Sequence, residues 1–121
     1  MQNERMRPVF WIGDSKERLL EFPDKVQDKV GYILEGVQAG RISNKIKHLR
    51  GFSGVHEIMS YYAGDAYRMV YVVNLGETIY VLHCFKKKSK RGIKTPKREM
   101  DLIRKRLTQA KEHAQQEEKN E

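Results

Sequence analysis

Cysteine is nearly absent from this chain of 121 residues, because Cys84 is the only one. A single cysteine excludes an internal disulfide, and this usage predicts a reducing, cytoplasmic setting. Histidine is also sparse, since the four histidines are scattered and none stands at metal-ligand spacing with Cys84. The sequence therefore predicts neither a metal site nor a cofactor.

Long apolar runs are missing as well. No apolar stretch reaches the length of about 18 residues that a membrane-spanning helix needs, so no contact with a membrane is predicted. The first six residues lead into no apolar core of a signal peptide, so no secretory signal is predicted. A chain of 121 residues suits one domain with one modest core. We predict a single domain over residues 1–121, folded from 7 to 114, with an acidic polar tail from 112 to 121.

Positive charge is concentrated in the last third of the chain. Between Lys86 and Arg106 lie eleven Lys and Arg residues against two acidic ones, whereas the rest of the chain has 13 basic and 14 acidic residues. This surplus follows an apolar segment, 79–82, and continues into a basic helical pattern. Charge concentrated in this way attracts a polyanion, usually a nucleic-acid backbone. The alternative is a solvated surface that keeps a small protein soluble.

Four segments are typical of β-strands, because they are rich in β-branched and aromatic residues and are bounded by turn residues. These segments are 7–12, 55–62, 66–73 and 78–85. The basic segment 41–54 is interpreted as a linker.

Three helices are predicted around these strands. The first is short and follows Asp14, which forms a capping-box pattern with Glu17. The second runs over residues 23–39, and Gly31 and Gly36 within it favour a closely packed neighbour, because each glycine costs roughly 1 kcal/mol in a helix. The third spans residues 96–114 and carries an apolar stripe. The order is β-α-α-β-β-β-α, which predicts an α+β fold with an antiparallel-rich sheet, an N-terminal helical hairpin and a C-terminal helix.

A series of short motifs runs from about residue 9 to residue 110. In chain order they are Trp11-Ile12-Gly13-Asp14-Ser15, Phe22-Pro23, Gly31-Tyr32-Ile33-Leu34, Gln38-Ala39-Gly40, Leu49-Arg50-Gly51-Phe52, Glu57-Ile58, Tyr67-Arg68-Met69-Val70-Tyr71, Leu82-His83-Cys84-Phe85-Lys86-Lys87-Lys88-Ser89, Thr95-Pro96-Lys97 and Arg104-Lys105-Arg106-Leu107. Together they resemble the RelE/ParE superfamily of toxins, specifically the phage-derived Gp49-like branch, which is close to HigB-type toxins of type II toxin–antitoxin pairs.

The resemblance implies a small curved sheet flanked by a helical hairpin. It also implies a cognate antitoxin, expected to be a helix-turn-helix protein, and translation inhibition by ribosome-dependent cleavage of mRNA. Members of the ParE type share the fold and act on DNA gyrase, so a gyrase-type inhibitor remains an alternative. A non-catalytic nucleic-acid-binding module is the third possibility that the basic cluster leaves open.

Cleavage of RNA requires neither a metal nor a protein nucleophile, because the 2′-hydroxyl of RNA attacks the adjacent phosphorus. The protein then supplies positive charge for the phosphorane, and Arg and Lys are suited to this role. Arg68, a lone Arg on an apolar strand, is predicted either to contact phosphate or to pair with Glu57 across the hairpin. Lys87 and Lys88 match paired lysines of the family and are candidate catalytic residues. His83 is either a general base or a core histidine.

The remaining basic residues near these positions are candidates for RNA binding, with a solvated surface residue as the alternative for each. They are Lys47 and Arg50 in the predicted linker, and Lys86, Lys90, Arg91 and Lys94 in the basic run. Alternation along a strand sends Lys86 to one face and Lys87 to the other. A base could stack on Tyr67 or Tyr71, although both also suit the core.

Overall fold

A computed structural model of the chain describes residues 5–88 and 95–120, with the side chain of Lys88 left out. Within these residues the elements are β1 (Val9–Trp11), α1 (Ser15–Leu20), α2 (Asp24–Gln38), β2 (Ile46–His48), β3 (Val55–Tyr62), β4 (Asp65–Val72), β5 (Ile79–Lys88) and α3 (Lys97–Lys119). The α+β class predicted from the sequence is confirmed. None of the described helices is long and apolar enough to cross a membrane.

The five strands of the described chain form one sheet in the order β1-β5-β4-β3-β2. Strands β2 to β5 are antiparallel neighbours, while β1 joins β5 in parallel, with Val9 opposite Ile79. The register between β4 and β5 shifts between Val70 and Tyr71. A bulge of this kind bends and twists a sheet, which suits the predicted curvature.

The segment 41–54, interpreted as a linker, contains the edge strand β2. This strand has three residues and pairs with β3, so that Ile46 lies opposite Ile58 and His48 opposite His56. Three residues are too few to show an alternating pattern, and pairing with β3 rather than local sequence stabilises the strand. The interpretation as a linker is therefore wrong for these residues.

Helices cover both faces of the sheet, and the strand side chains alternate between them. On one face α1 and α2 bury Leu19, Val26, Val30, Ile33 and Leu34 against a group that includes Ile58, Met69, Val81 and Cys84. On the other face α3 buries Ile103, Leu107 and Ala110 against a group that includes Val55, Val70, Val72 and Leu82. The sheet is thus the middle layer of three, and each helix uses its apolar stripe to pack on it.

Helix α3 extends to Lys119, so most of the stretch predicted as a polar tail is helical. Near the start of this stretch α3 makes a contact that the apolar stripe does not predict. His113 packs against Phe10 with ring centroids 4.0 Å apart, and its Nδ1 lies 2.9 Å from the Tyr80 hydroxyl. These contacts attach α3 to the sheet at His113, and the residues from 115 to 119 continue the helix in exposed positions.

Replacing Gly31 by alanine is expected to stabilise the protein. A Cβ at Gly31 would meet none of the described atoms within 4 Å outside its neighbours and its own helix backbone, and one at Gly36 would make only ordinary contact with Arg41. The close neighbour expected from the sequence is therefore not found. Gly31→Ala should raise the free energy of unfolding by about 0.5–1 kcal/mol, because alanine loses less backbone entropy in a helix. Urea denaturation measures the change.

Gly13 offers a matched control for this substitution. Its φ is +56°, and a Cβ there would lie 2.9 Å from the Arg106 guanidinium. Gly13→Ala should therefore destabilise the protein under the same conditions. A loss of stability in Gly31→Ala would contradict the prediction.

Candidate nucleic-acid interface

The pairing of the strands places several charged side chains on the face of the sheet against which α3 packs. Lys47 in β2 lies opposite Glu57 in β3, and Glu57 lies opposite Val70 in β4. One row further, Arg68 lies opposite Phe85, and the next row places Lys87 in β5 opposite Ala66. Directly opposed residues share a face of a sheet. Two cations, Arg68 and Lys87, therefore occupy neighbouring rows on this face.

Arg68 pairs with Glu57 in a largely buried setting. Its Nη1 donates to Glu57 Oε1 at 2.7 Å, and the two side chains are 14% and 9% exposed. The Nε of Arg68 is buried and has no partner among the described residues. The sequence left open a pairing with Glu57 or a contact with phosphate, and the pairing is present. It uses one of five guanidinium donors, so the phosphate contact stays a prediction.

Lys87 lies beside this pair and is half-buried. Burial and the nearby positive charge of Arg68 lower the pKa of the Lys87 ammonium, while the Glu57 carboxylate opposes this shift. The strand β5 ends at Lys88, three residues beyond the predicted end at Phe85, because the lysines continue the ladder with β4. Lys87 is thus held by a strand rather than by a loop.

The other candidates are more dispersed. Lys47 shares the face of Glu57, and Arg50 follows β2 in an exposed turn. Lys86 projects to the opposite face, as alternation predicted, and its Nζ lies 3.7 Å from a carboxylate oxygen of Asp65. The backbone of Lys88 is opposite Asp65. Lys90, Arg91 and Lys94 lie outside the described residues.

His83 is a core residue at the border of this face. It is 4% exposed, its Nε2 lies 2.9 Å from Glu99 Oε1 on α3, and its ring stacks on Phe85 at 5.0 Å. Burial lowers the pKa of the His83 imidazole, although the Glu99 carboxylate opposes the shift. These contacts match the second of the two interpretations of His83, that of a core histidine.

The side chains of Tyr67, Tyr71 and Cys84 are buried. Tyr67 and Tyr71 are 7% and 2% exposed and belong to the core under α2. Burial raises the pKa of the Cys84 thiol to about 12, so this group stays protonated and unreactive. Across residues 5–88 and 95–120, no three His, Cys, Asp or Glu side chains form a group that could hold a metal ion.

One ion pair fastens α3 to the other layers. Arg106 on α3 donates to the Asp14 carboxylate at the start of α1 and, through Nη1, to the backbone oxygen of Leu82 at 3.0 Å. The hydrogen bond from Arg106 lowers the pKa of the Asp14 carboxyl, and Arg18 adds to this effect. Together with the contact between Glu99 and His83, this pair joins α3 to the sheet and to α1.

The sequence did not indicate an open cavity of about 690 Å³ beside the outer edge of β5. Its walls come from four separate segments of the chain, and its lining includes Arg18, Tyr67, His83, Lys86, Arg98 and Glu99. No local pattern connects these segments, so only the fold brings them together.

Acidification from pH 7 to about pH 5 is expected to lower the free energy of unfolding. Burial lowers the pKa values of His83 and His56 in the folded protein, whereas unfolded histidine titrates near 6.5. Below about pH 6.5 the unfolded chain therefore binds more protons, and stability falls as the pH decreases toward the folded pKa values. Urea denaturation across this range measures the slope. His83→Gln and His56→Gln should each flatten it, and a stability that does not change with pH in the parent would contradict the prediction.

Comparison with solved structures finds a similar fold in a mutant of the E. coli toxin RelE in the free state. The TM-score is 0.50 at 17% sequence identity, and the match covers 65% of this chain and 81% of that chain. The architecture is thus of the RelE type. Residues 17–108 match the phage-derived protein Gp49-like family, and the chain belongs to that family. No curated protein matches the sequence. The resemblance identified from the motifs is confirmed for both the family and the fold.

Proposed function

We propose that this protein is the toxin of a type II toxin–antitoxin pair and that it cleaves ribosome-bound mRNA without a metal ion. Family membership and the RelE-type fold support the toxin class. The observation that carries the enzymatic part is the placement of Arg68 and Lys87 in neighbouring rows on one face of the sheet. Two cations in neighbouring rows of one face suit the binding of one phosphate group of an RNA backbone.

The protein contributes two side chains to the reaction, Arg68 and Lys87. The RNA 2′-oxygen forms a bond to the adjacent phosphorus, its proton passes to solvent, and the bond from phosphorus to the 5′-oxygen breaks. Arg68 stabilises the additional negative charge of the phosphorane. Lys87, whose pKa is lowered by burial, gives a proton to the departing 5′-oxygen and recovers one from solvent. The products are a 2′,3′-cyclic phosphate and a 5′-hydroxyl.

The other candidates have supporting roles in this proposal. Lys88 adds positive charge at the end of β5, and Lys47, Arg50 and Lys86 contact the RNA backbone on either side. His83 is not assigned the role of base, because its Nε2 already contacts Glu99 and the ring is buried. Lys90, Arg91 and Lys94, which lie outside the described residues, stay candidates for RNA binding.

A cognate antitoxin follows from the proposed class. A toxin with a basic surface is expected to bind an acidic or amphipathic segment of its partner, since opposite charge steers association. Co-expression with the neighbouring gene should yield a stable complex and relieve growth arrest. If the protein is harmless when expressed alone and binds no product of a neighbouring gene, the proposal of a toxin fails.

Mapping of RNA 5′ ends after a brief pulse of expression tests the enzymatic part. New 5′-hydroxyl ends within translated reading frames should appear before growth stops, and Arg68→Gln should abolish them. Growth arrest with altered DNA supercoiling and without new RNA ends would favour the gyrase-type inhibitor instead. Binding to nucleic acid without arrest or cleavage would favour a non-catalytic module.

A further inference from the structure

We propose that the cavity beside the outer edge of β5 is a pocket for one nucleotide of single-stranded RNA. This inference rests on the proposed function, because it takes RNA as the ligand. It adds a second contact site, lined by residues other than Arg68 and Lys87.

The pocket exists because β1 is shorter than β5. Within the described residues β1 pairs with β5 only over residues 79–81, so the outer edge of β5 is not covered by β1 from Leu82 onward. Residues His83 to Lys86 form the floor of the cavity, the corner between α1 and α2 forms one wall, and the first turns of α3 form the other. The volume of about 690 Å³ lies in the range of about 300–1,000 Å³ that small-ligand sites occupy.

The lining combines aromatic rings with hydrogen-bonding groups, which is the combination that a nucleobase requires. Phe22 and Tyr67 meet edge to face at 4.9 Å, and Phe85 stacks on His83 at 5.0 Å. These rings are 4–7% exposed, and their exposed part gives the floor of the cavity an apolar surface against which a base can pack. The carboxylates of Glu21 and Glu99 also line the cavity, and they can accept hydrogen bonds from the amino groups of a base.

Arg98 is the cation best placed to take the phosphate of such a nucleotide. The other two cations in the lining already have acidic neighbours, since Arg18 pairs with Asp14 and Lys86 lies 3.7 Å from Asp65. Arg98 is exposed, and no acidic partner for it lies within the part of the chain that the structure describes. Its position in the first turn of α3 adds the positive end of a 23-residue helix.

The arrangement of β5 favours RNA over a free nucleotide. Lys86 lines the pocket, and the next residue, Lys87, faces the opposite side of the strand beside Arg68. Consecutive Cα atoms are only about 3.8 Å apart. A polynucleotide that passes over the end of β5 can therefore place one phosphate at Arg68 and Lys87 and a neighbouring nucleotide in the pocket.

Equilibrium binding of short RNA tests the proposal with a matched pair of charge reversals. The probes are fluorescent tetranucleotides of each base with 2′-O-methyl groups, which block cleavage, and the four nucleoside 5′-monophosphates. Arg98→Glu alters the pocket, whereas Lys105→Glu makes the same charge change at another exposed position of α3 that is not in the lining. Arg98→Glu should weaken tetranucleotide binding by about tenfold or more, and Lys105→Glu by less than about twofold. Arg98→Ala should also lower the slope of affinity against salt by about one.

Each alternative result has a distinct meaning. Equal losses in Arg98→Glu and Lys105→Glu would overturn the pocket in favour of diffuse electrostatic attraction. Monophosphates that bind as tightly as tetranucleotides, with the same dependence on Arg98, would overturn RNA as the ligand and indicate a free nucleotide. Both substitutions are at exposed positions, and unchanged thermal unfolding confirms that the variants are folded.

The outcome is separable from that of the cleavage assay. Binding that depends on Arg98, in a protein that cleaves no RNA, would support the nucleotide pocket and contradict the endoribonuclease activity. Cleavage that persists in Arg98→Glu with unchanged tetranucleotide affinity would contradict the nucleotide pocket and support the endoribonuclease activity.

Discussion

Replacement of Arg68 by glutamine should lower the single-turnover rate of RNA cleavage on programmed ribosomes by about a hundredfold, while ribosome binding falls much less. The guanidinium meets its full negative charge only in the phosphorane, so its loss affects the transition state more than the bound ground state. Lys87→Ala should have an effect of similar size, because the variant lacks the group that protonates the departing 5′-oxygen. Arg68→Lys should recover only part of the rate, because an ammonium cannot reproduce a bidentate contact.

Lys86→Ala is the matched control for this series. Lys86 is adjacent to Lys87 in sequence but lies on the other face of the sheet, so its removal should reduce binding and its salt dependence rather than the rate of the bound complex. Circular dichroism and urea denaturation establish that each variant is folded. If folded Arg68→Gln and Lys87→Ala proteins cleave as fast as the parent, the assignment of the site is wrong, even where the toxin itself is active.

Removing one partner of the buried ion pair should be more damaging than removing both. Arg68→Met leaves the Glu57 carboxylate, 9% exposed, without its partner, and such a loss costs about 3–5 kcal/mol. Lys87 shares the same face of the sheet and offsets part of the charge, so we expect the lower end of this range. The double variant Glu57→Leu/Arg68→Met removes both charges and should restore most of the lost stability.

Urea denaturation of the parent, the two single variants and the double variant forms a complete cycle. The expected result is a large coupling energy, with the double variant more stable than Arg68→Met. Additive losses would show that the pair contributes through separate contacts rather than as a unit. The double variant also tests function independently of stability, because it should be folded but should not cleave RNA.

Local sequence patterns were sufficient to predict the elements that are stabilised mainly by their own sequence. The strand over residues 55–62 was predicted with its observed bounds, because an alternating segment is bounded there by glycine turns on both sides. Strand β2 was missed, since its three residues are stabilised by β3 and not by their own sequence. The end of β5 was placed too early because lysines were interpreted as the end of a strand, whereas pairing with β4 continues through them.

The same distinction applies to the site. Alternation correctly placed Lys86 and Lys87 on opposite faces of the sheet and Arg68 on the same face as Val70. The face that a side chain occupies depends only on its position along its own strand. The contact of His83 with Glu99 joins β5 to α3, and no periodicity within either element predicts how the two pack together. The cavity that includes Arg18 and Arg98 requires the packing of four separate segments, so it follows from the tertiary fold alone.

The parallel pairing of β1 with β5 has a consequence for the order in which the chain can fold during synthesis. Val9 must find Ile79, and Asp14 must find Arg106, 92 residues later in the chain. Contacts of such long sequence separation form late, because the entropy of closing the intervening loop opposes them. A nascent chain that ends before β5 therefore lacks the pairing of β1 with β5 and the face that carries both Arg68 and Lys87. Synthesis must therefore pass the lysines of β5 before this face of the sheet is complete.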